Sequence, residues 1–123
     1  MKVVDTEEMK LIEKKSLEEY GFSEELIIEN VGLRGADYLD KNVICDSSFG
    51  EIVCLIGKGN NGADGLSVAR YLKNKGYSTR AFLLFAEESL RENTKKQLSM
   101  ARAYGVKISE LKNIERSKKE GEI

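Results

Sequence analysis

Residues 51–76 read EIVCLIGKGNNGADGLSVARYLKNKG, and this stretch decides the predicted fold. Its first part, Glu51–Ile56, is a short and nearly continuous apolar run, which is typical of a β-strand buried on both faces. A glycine-rich turn follows, and then an amphipathic helix over about Ala63–Lys75. The predicted inward positions of that helix are Leu66, Ala69 and Leu72. A strand, a turn and a helix in this order begin a βαβ unit.

A second strand, a further helix and a third strand continue the pattern. Residues Ser78–Phe85 predict a buried strand that lies parallel to Glu51–Ile56 and beside it. Residues 87–105 predict one long helix, and residues 106–108 begin a third strand. The inward positions of this helix are Leu90, Leu98 and Ala101. The alternation predicts an α/β fold with a parallel sheet. Because such a sheet needs covered faces and protected edges, we expect further chain to complete it.

Two amphipathic helices precede the sheet. In the first, Asp5 and Glu8 have the spacing of a capping box, and the predicted buried stripe is Met9, Ile12 and Tyr20. The second begins after Ser23 as its N-cap, and its predicted apolar face is Leu26, Ile27, Val31 and Leu39. Gly32 and Gly35 lie inside this helix and indicate close packing against another backbone.

Composition excludes several classes of function. Acidic and basic residues nearly cancel, at 21 against 20, so no nucleic-acid partner is expected. No apolar run approaches the roughly 20 residues of a membrane helix, and no signal peptide is apparent. The chain has no histidine and two cysteines, Cys45 and Cys54, which argues against a zinc site. Cys54 is expected in the core, and a reduced, cytoplasmic setting is the default.

The turn at residues 57–65, GKGNNGADG, predicts a ligand site. It lies between a buried strand and a helix, where open α/β sheets bind ligands and where helix N–H groups favour an anion. The glycines of its G-x-G-x-x-G pattern, Gly57, Gly59 and Gly62, allow a sharp turn and close approach to a ligand. The amide oxygens of Asn60 and Asn61 can coordinate a hard cation, and the helix dipole stabilises Asp64. Alternatively, the polar residues only cap the helix and the glycines only turn the chain.

A general dinucleotide-binding loop is one interpretation of this pattern. It expects an acidic residue about 20 positions beyond the glycines, and Glu87 and Glu88 nearly meet this requirement. A lone G-x-G-x-x-G is weak evidence, however. It also leaves the paired asparagines and the ADG that follows the third glycine unexplained.

A longer resemblance covers about Met1 to Gly105. GKGNNGADGLSVARYLKNKGY, residues 57–77, resembles the G-x-G-N-N-G-G-D-G-x-x-x-A-R-x-L signature of YjeF N-terminal domains, the NAD(P)H-hydrate epimerases. LIIENVG, residues 26–32, is similar to the M-E-N-A-G-like segment of that family. The family usually has glycine at the position of Ala63. A methyl group there is harmless in a helix and costly at positive φ.

The resemblance implies a three-layer, Rossmann-like α/β/α fold, usually dimeric, preceded by two helices. It implies interconversion of the R and S epimers of hydrated NADH or NADPH, damaged cofactors that a fused or separate dehydratase then repairs. By position, the substrate-binding segment corresponds to Asn60, Asn61, Gly62, Ala63 and Asp64. Asn61 corresponds to a potassium ligand, so the implied cofactor is a potassium ion.

The family's second half, with its catalytic acidic group, has no counterpart in this sequence. Residues 1–123 therefore correspond to the N-terminal part of the domain, and we expect the catalytic group beyond Ile123. Alone, these residues are expected to show no measurable epimerase activity, and to associate or fold poorly unless another chain supplies the rest. The alternative functions are a catalytically inactive nucleotide-binding or scaffold module of the same fold and, third, an NAD-dependent dehydrogenase. Arg70 is expected to lie on a solvated helix face.

Overall fold

Helices and strands follow one another in the predicted order. A computed structural model describes residues 5–44 and 50–110, apart from the side chains of Thr6, Glu13, Ser16 and Asn60. Cys45 lies outside these ranges. The elements are α1 (Thr6–Glu19), α2 (Glu24–Leu39), β1 (Ile52–Ile56), α3 (Asn60–Asn74), β2 (Thr79–Leu83), α4 (Glu92–Ala103) and β3 (Lys107–Glu110). Within the described residues, no helix is both long and apolar enough to cross a membrane.

The three strands form one parallel sheet in the order β1-β2-β3. Cys54 of β1 pairs with Ala81 of β2, which pairs in turn with Ile108 of β3. The predicted parallel pairing of the first two strands is therefore confirmed. Because successive parallel strands need a crossover connection, α3 and α4 each join two neighbouring strands.

The main core lies between one face of the sheet and the two crossover helices. The predicted inward residues of α3 and α4 are confirmed as buried. The core side chains are Ile56, Leu66, Ala69, Ala81, Leu83, Leu90, Leu98, Ala101 and Val106. Burying one such leucine or isoleucine contributes about 1.5–3 kcal/mol, so this apolar face fixes the helices on the sheet.

In the described part of the chain, the opposite face of the sheet is open at β1, whereas Phe82 of β2 on the same face is 8% exposed. Val53 and Leu55 of β1 are 51% and 67% exposed, whereas Cys54 between them packs against the core. The prediction of a strand buried on both faces is wrong here. The described helices that pack on the sheet, α3 and α4, contact one face only, so the described residues supply two of the three expected layers.

The two leading helices are capped as predicted but bury other residues than expected. The Asp5 side chain accepts a hydrogen bond from the Glu8 amide at 2.7 Å, and Ser23 Oγ accepts one from the Leu26 amide at 3.1 Å. The predicted stripe of α1 is wrong, since its three residues are all exposed. The exposed members of the two predicted faces are Met9, Ile12, Tyr20, Leu26 and Val31.

Helix α2 packs through small residues instead. Ile28, Gly32 and Ala36 are its buried positions. A Cβ added to Gly32 would lie 1.9 Å from Ser67 Oγ of α3, so the two helices meet where α2 has no side chain. The predicted close packing at Gly32 is confirmed, and it explains why the bulkier Leu26 and Val31 face outward.

Glu29 of α2 joins three helices. Its carboxylate accepts hydrogen bonds from Arg70 Nη2, from Tyr71 Oη at 2.9 Å and from Gln97 Nε2 at 3.2 Å. Arg70 is 6% exposed, and its guanidinium carbon lies 5.5 Å from the ring centre of Tyr104. The expectation that Arg70 lies on a solvated face is therefore wrong. A buried guanidinium needs a carboxylate partner, and Glu29 provides it.

The segment before α4 is not part of the long helix that the sequence predicts. Residues Glu87–Ser89 form one turn of 3-10 helix. Leu90 and Arg91 then adopt extended backbone angles before α4 begins at Glu92. This interruption allows the Leu90 side chain to reach the core, where it is 4% exposed.

Candidate functional site at the start of helix α3

The glycine-rich loop connects the carboxyl end of β1 to α3, as predicted. Ile56, the last residue of β1, is fully buried and anchors the loop to the core. Gly59 is the N-cap of α3 and has extended backbone angles, φ −82° and ψ −167°. The Gly62 amide donates to the Gly59 carbonyl oxygen at 3.0 Å. Because a glycine cap brings no side chain, the N–H groups before Gly62 are left for another acceptor, a favourable position for an anion.

The three glycines of the loop have different roles. The described glycines with positive φ are Gly21, Gly50, Gly76 and Gly105, so the loop glycines are not needed for a left-handed turn. A Cβ on Gly62 would lie 2.4 Å from the carbonyl oxygen of Gly57, whereas Gly57 and Gly59 have open space at this position. The chain bends at residues 58 and 59, between the strand and the helix, without a left-handed residue. Gly62 is required by close packing, and Gly57 and Gly59 leave the backbone accessible.

Ala63 fits its position without strain. It lies in the first turn of α3, with helical neighbours on both sides, and is 2% exposed. An alanine is among the best residues for a helix interior, so this methyl group costs nothing in conformation. The departure from the family's usual glycine is therefore compatible with the fold.

A cavity of about 300 Å³ lies at the start of α3. Helix α3 contributes three of the five predicted site residues to it, and the other walls come from α1, α2 and the start of α4. Of the remaining two, Gly62 is buried behind the loop, and the side chain of Asn60 lies outside the described residues. The lining residues are Met9, Leu17, Glu24, Ile27, Ile28, Val31, Asn61, Ala63, Asp64, Arg91, Asn93 and Thr94.

The cavity combines an apolar wall with a polar wall. Most of the apolar side chains come from α1 and α2, and most of the polar ones from the first turns of α3 and α4, although Glu24 of α2 also lines the cavity and accepts a hydrogen bond from Asn93. Small-molecule sites usually have this composition, with an apolar lining and a few polar groups that fix orientation. The cavity volume lies at the lower end of the usual range of about 300–1,000 Å³, which suits one part of a nucleotide.

The acidic residues expected of a general dinucleotide-binding loop lie outside the cavity at the start of α3. Glu87 forms a two-pronged ion pair with Arg102, with N–O distances of 2.7 and 2.9 Å. The hydrogen bonds from Arg102 lower the pKa of Glu87, so its carboxylate is committed to this pair. Neither Glu87 nor Glu88 lines the cavity. The geometry therefore gives no support to a dehydrogenase-type ribose contact.

Comparison with known proteins assigns the family. Residues 24–122 match the protein family described as YjeF-related protein N-terminus. The chain belongs to this family. The matched range includes α2, the glycine-rich loop, α3 and α4, and therefore all walls of the cavity except the one from α1.

Relatives of this YjeF-family chain include enzymes of nicotinamide-cofactor repair. A bifunctional NAD(P)H-hydrate repair enzyme of Moorella thermoacetica is 32% identical over 108 residues, which are 88% of this chain and 20% of that protein. Its counterpart in Thermofilum pendens is 39% identical over 73% of this chain and 17% of that protein. An NAD(P)H-hydrate epimerase of Rhodopirellula baltica is 32% identical over 79% of this chain and 38% of that protein. The chain thus spans less than half the length of each.

A solved structure extends the likeness to three dimensions. The crystal structure of yeast YNL200c matches this YjeF-family chain with a TM-score of 0.77 and 25% sequence identity. The match covers 89% of this chain and 47% of the yeast chain. The predicted α/β fold is confirmed.

Proposed function

We propose that this chain is the N-terminal part of an NAD(P)H-hydrate epimerase, which interconverts the R and S epimers of hydrated NADH and NADPH. The observation that carries this proposal is the cavity that Asn61 and Asp64 of the signature loop line together with apolar side chains of α1 and α2. Membership of the YjeF family and the epimerase names of its relatives support the same function. Because the chain spans less than half of these relatives, the catalytic acidic group lies beyond Ile123 in this proposal.

The loop would hold the substrate through its backbone and two side chains. The N–H groups at the start of α3 suit an anionic group, such as a nucleotide phosphate. Gly57 and Gly59 leave room for that group to approach the backbone, since nothing lies within 4 Å of a Cβ at either position. Asp64 is half-buried beside the cavity and would orient the ligand's hydroxyl or amide groups.

A potassium ion is the proposed cofactor, with Asn61 as one of its ligands. The Asn61 side chain is exposed at the cavity, and an amide oxygen is a donor that hard cations accept. Among the described residues, no group of three or more histidines, cysteines, aspartates or glutamates could hold a metal ion. Asn61 therefore fits a potassium site whose other oxygen ligands do not come from such a cluster of side chains. A bound cation would neutralise negative charge on the substrate.

Assembly and location complete the proposal. The bifunctional names of several relatives support a dehydratase partner, fused or separate, which would act on the epimers that this site equilibrates. A homodimer and a cytoplasmic setting are proposed with it. The partly buried free thiol of Cys54 is compatible with a reducing compartment.

Equilibration of separated R and S hydrates by the natural full-length protein tests the function. We expect the wild type to equilibrate each epimer, and Asp64→Asn to lose most of this activity. A protein that binds the hydrates without equilibrating them would instead be a nucleotide-binding module.

The potassium site has its own test. Asn61→Ala should reduce the stimulation of the same reaction by potassium. Asn74→Ala provides the matched control, because Asn74 is the exposed last residue of the same helix. If Asn61→Ala keeps the potassium response of the wild type, Asn61 only helps to cap the helix.

A further inference from the structure

Helix α1 contacts the rest of the described chain very little. It has 14 residues, a length at which an isolated helix is marginally stable in water. Among its described side chains, Leu17 alone is partly buried. Met9, Leu11 and Ile12 are between 50% and 58% exposed. The helix therefore gains little stability from packing against its own core.

The side chains by which α1 approaches the rest of the protein are those at the cavity. Met9 and Leu17 line it, together with Ile27 and Val31 of α2. Asp64 of the signature loop lines the same cavity. Of the five apolar side chains that α1 and α2 contribute to it, two lie on α1, the loosely held helix.

We propose that this α1–α2 wall binds a heterocyclic ring of the hydrated dinucleotide, with Met9 and Leu17 against the face of the ring. The assignment rests on the proposed function and adds α1 to the substrate site. A ring with apolar faces and polar edges matches the cavity, because its faces contact aliphatic side chains while its edge reaches Asn61, Asn93 or Thr94. The thioether of methionine packs well on an aromatic ring such as adenine, and its flexible side chain adapts to other shapes. Contact with the ligand would also give α1 the packing that the described core does not provide.

The dinucleotide carries two rings that fit this description, adenine and hydrated nicotinamide. We assign one of them to the cavity, whose volume of about 300 Å³ is at the lower limit for small-molecule sites. One ring occupies it, and the rest of the nucleotide runs along the loop. ADP-ribose contains the adenine ring and hydrated reduced nicotinamide mononucleotide contains the hydrated nicotinamide ring, so these two fragments distinguish the two sources.

Met9→Asp in the natural full-length protein tests the proposal. The variant places a carboxylate on the apolar wall, and Met9 is 51% exposed, so the fold should tolerate it. Leu11→Asp is the matched control, because Leu11 is 58% exposed on the same helix and does not line the cavity. Dissociation constants are measured by calorimetry for hydrated NADPH and for the two fragments. Chemical unfolding of each variant is measured alongside.

Met9→Asp should weaken binding of hydrated NADPH and of one fragment about tenfold, which corresponds to about 1.4 kcal/mol. Leu11→Asp should leave all three dissociation constants unchanged. Unchanged binding by Met9→Asp, equal weakening of both fragments, or an equal loss in Leu11→Asp would overturn the proposal. So would a loss of stability in Met9→Asp without a loss of affinity, since the wall would then pack against protein. If the wild type equilibrates the epimers, such results reject the α1 wall alone; if it binds no hydrate, the proposed function fails too.

Discussion

Replacing Gly62 by alanine should destabilise the signature loop. The new Cβ would lie 2.4 Å from the Gly57 carbonyl oxygen and 3.4 Å from Cγ2 of Ile56. Since the first obstacle is backbone, no change of side-chain rotamer relieves it, and β1 and α3 must move apart. Overpacking of this kind costs about 1–3 kcal/mol, and the better helix propensity of alanine offsets up to about 1 kcal/mol. We expect the free energy of unfolding to fall by about 1–2 kcal/mol.

Gly59→Ala is the matched control in the same loop. Nothing lies within 4 Å of a Cβ at Gly59, and its φ of −82° is allowed for alanine. Its unfolding free energy should stay unchanged or rise by about 0.4–1 kcal/mol, because alanine restricts the unfolded chain. Urea unfolding of both variants, followed by circular dichroism, measures the difference. A Gly62→Ala protein as stable as Gly59→Ala would refute the steric role of the third glycine.

Three further predictions concern the scaffold and the open face of the sheet. Burial raises the pKa of Glu29, but its hydrogen bonds outweigh this effect and hold the pKa below its usual 4.5. Glu29→Gln should therefore lower the free energy of unfolding at pH 7 by about 2 kcal/mol. This is a low value for a buried ion pair, because the Glu29 side chain is a third exposed. The difference from the wild type should shrink as the pH falls below 4.5, where the wild-type carboxylate becomes protonated. Gly32→Ala should lower the melting temperature more than Gly35→Ala. The new Cβ at position 32 would lie 1.9 Å from Ser67 Oγ, whereas the new Cβ at position 35 would lie 3.1 Å from a single side-chain methyl group. Equal melting temperatures of the two variants would contradict this. Leu55→Lys should reduce light scattering by residues 1–123, because Leu55 is 67% exposed on the open face, and unchanged scattering would place the association elsewhere.

Local sequence signals were sufficient for the order of elements. The caps at Asp5 and Ser23 and the stops at Gly76 and Gly105 are determined within a few residues of each helix end. Both glycines have the positive φ expected after a helix, 103° and 91°. The parallel sheet also follows from local patterns, because each strand is separated from the next by a helix.

Which face of a helix is buried could not be predicted in the same way. Periodicity places Leu26 and Val31 on the core side of α2, but the helix that packs against α2 determines which of its faces is buried. Ser67 of α3 approaches so closely that only Gly32 fits opposite it. The buried charge of Arg70 was missed for a similar reason, since its partner, Glu29, is 41 residues away in the sequence.

The site was predicted in part. The loop at Asn61 and Asp64 follows from its residues and its place after a strand. The contribution of Asn93 and Thr94 could have been inferred, because α4 follows β2 and neighbouring parallel strands end at the same edge of the sheet. No local signal places Met9 of α1 at this cavity, since the contact depends on how α1 and α2 pack together.

A crystal structure of the natural full-length protein with hydrated NADPH tests most directly whether the start of α3 is the substrate site. We expect the nucleotide to lie along residues 60–64, with an anionic group at the first N–H groups of α3 and Asp64 within hydrogen-bond distance of the ligand. Binding at a different surface, with the cavity beside Asn61 and Asp64 left unused, would contradict this assignment.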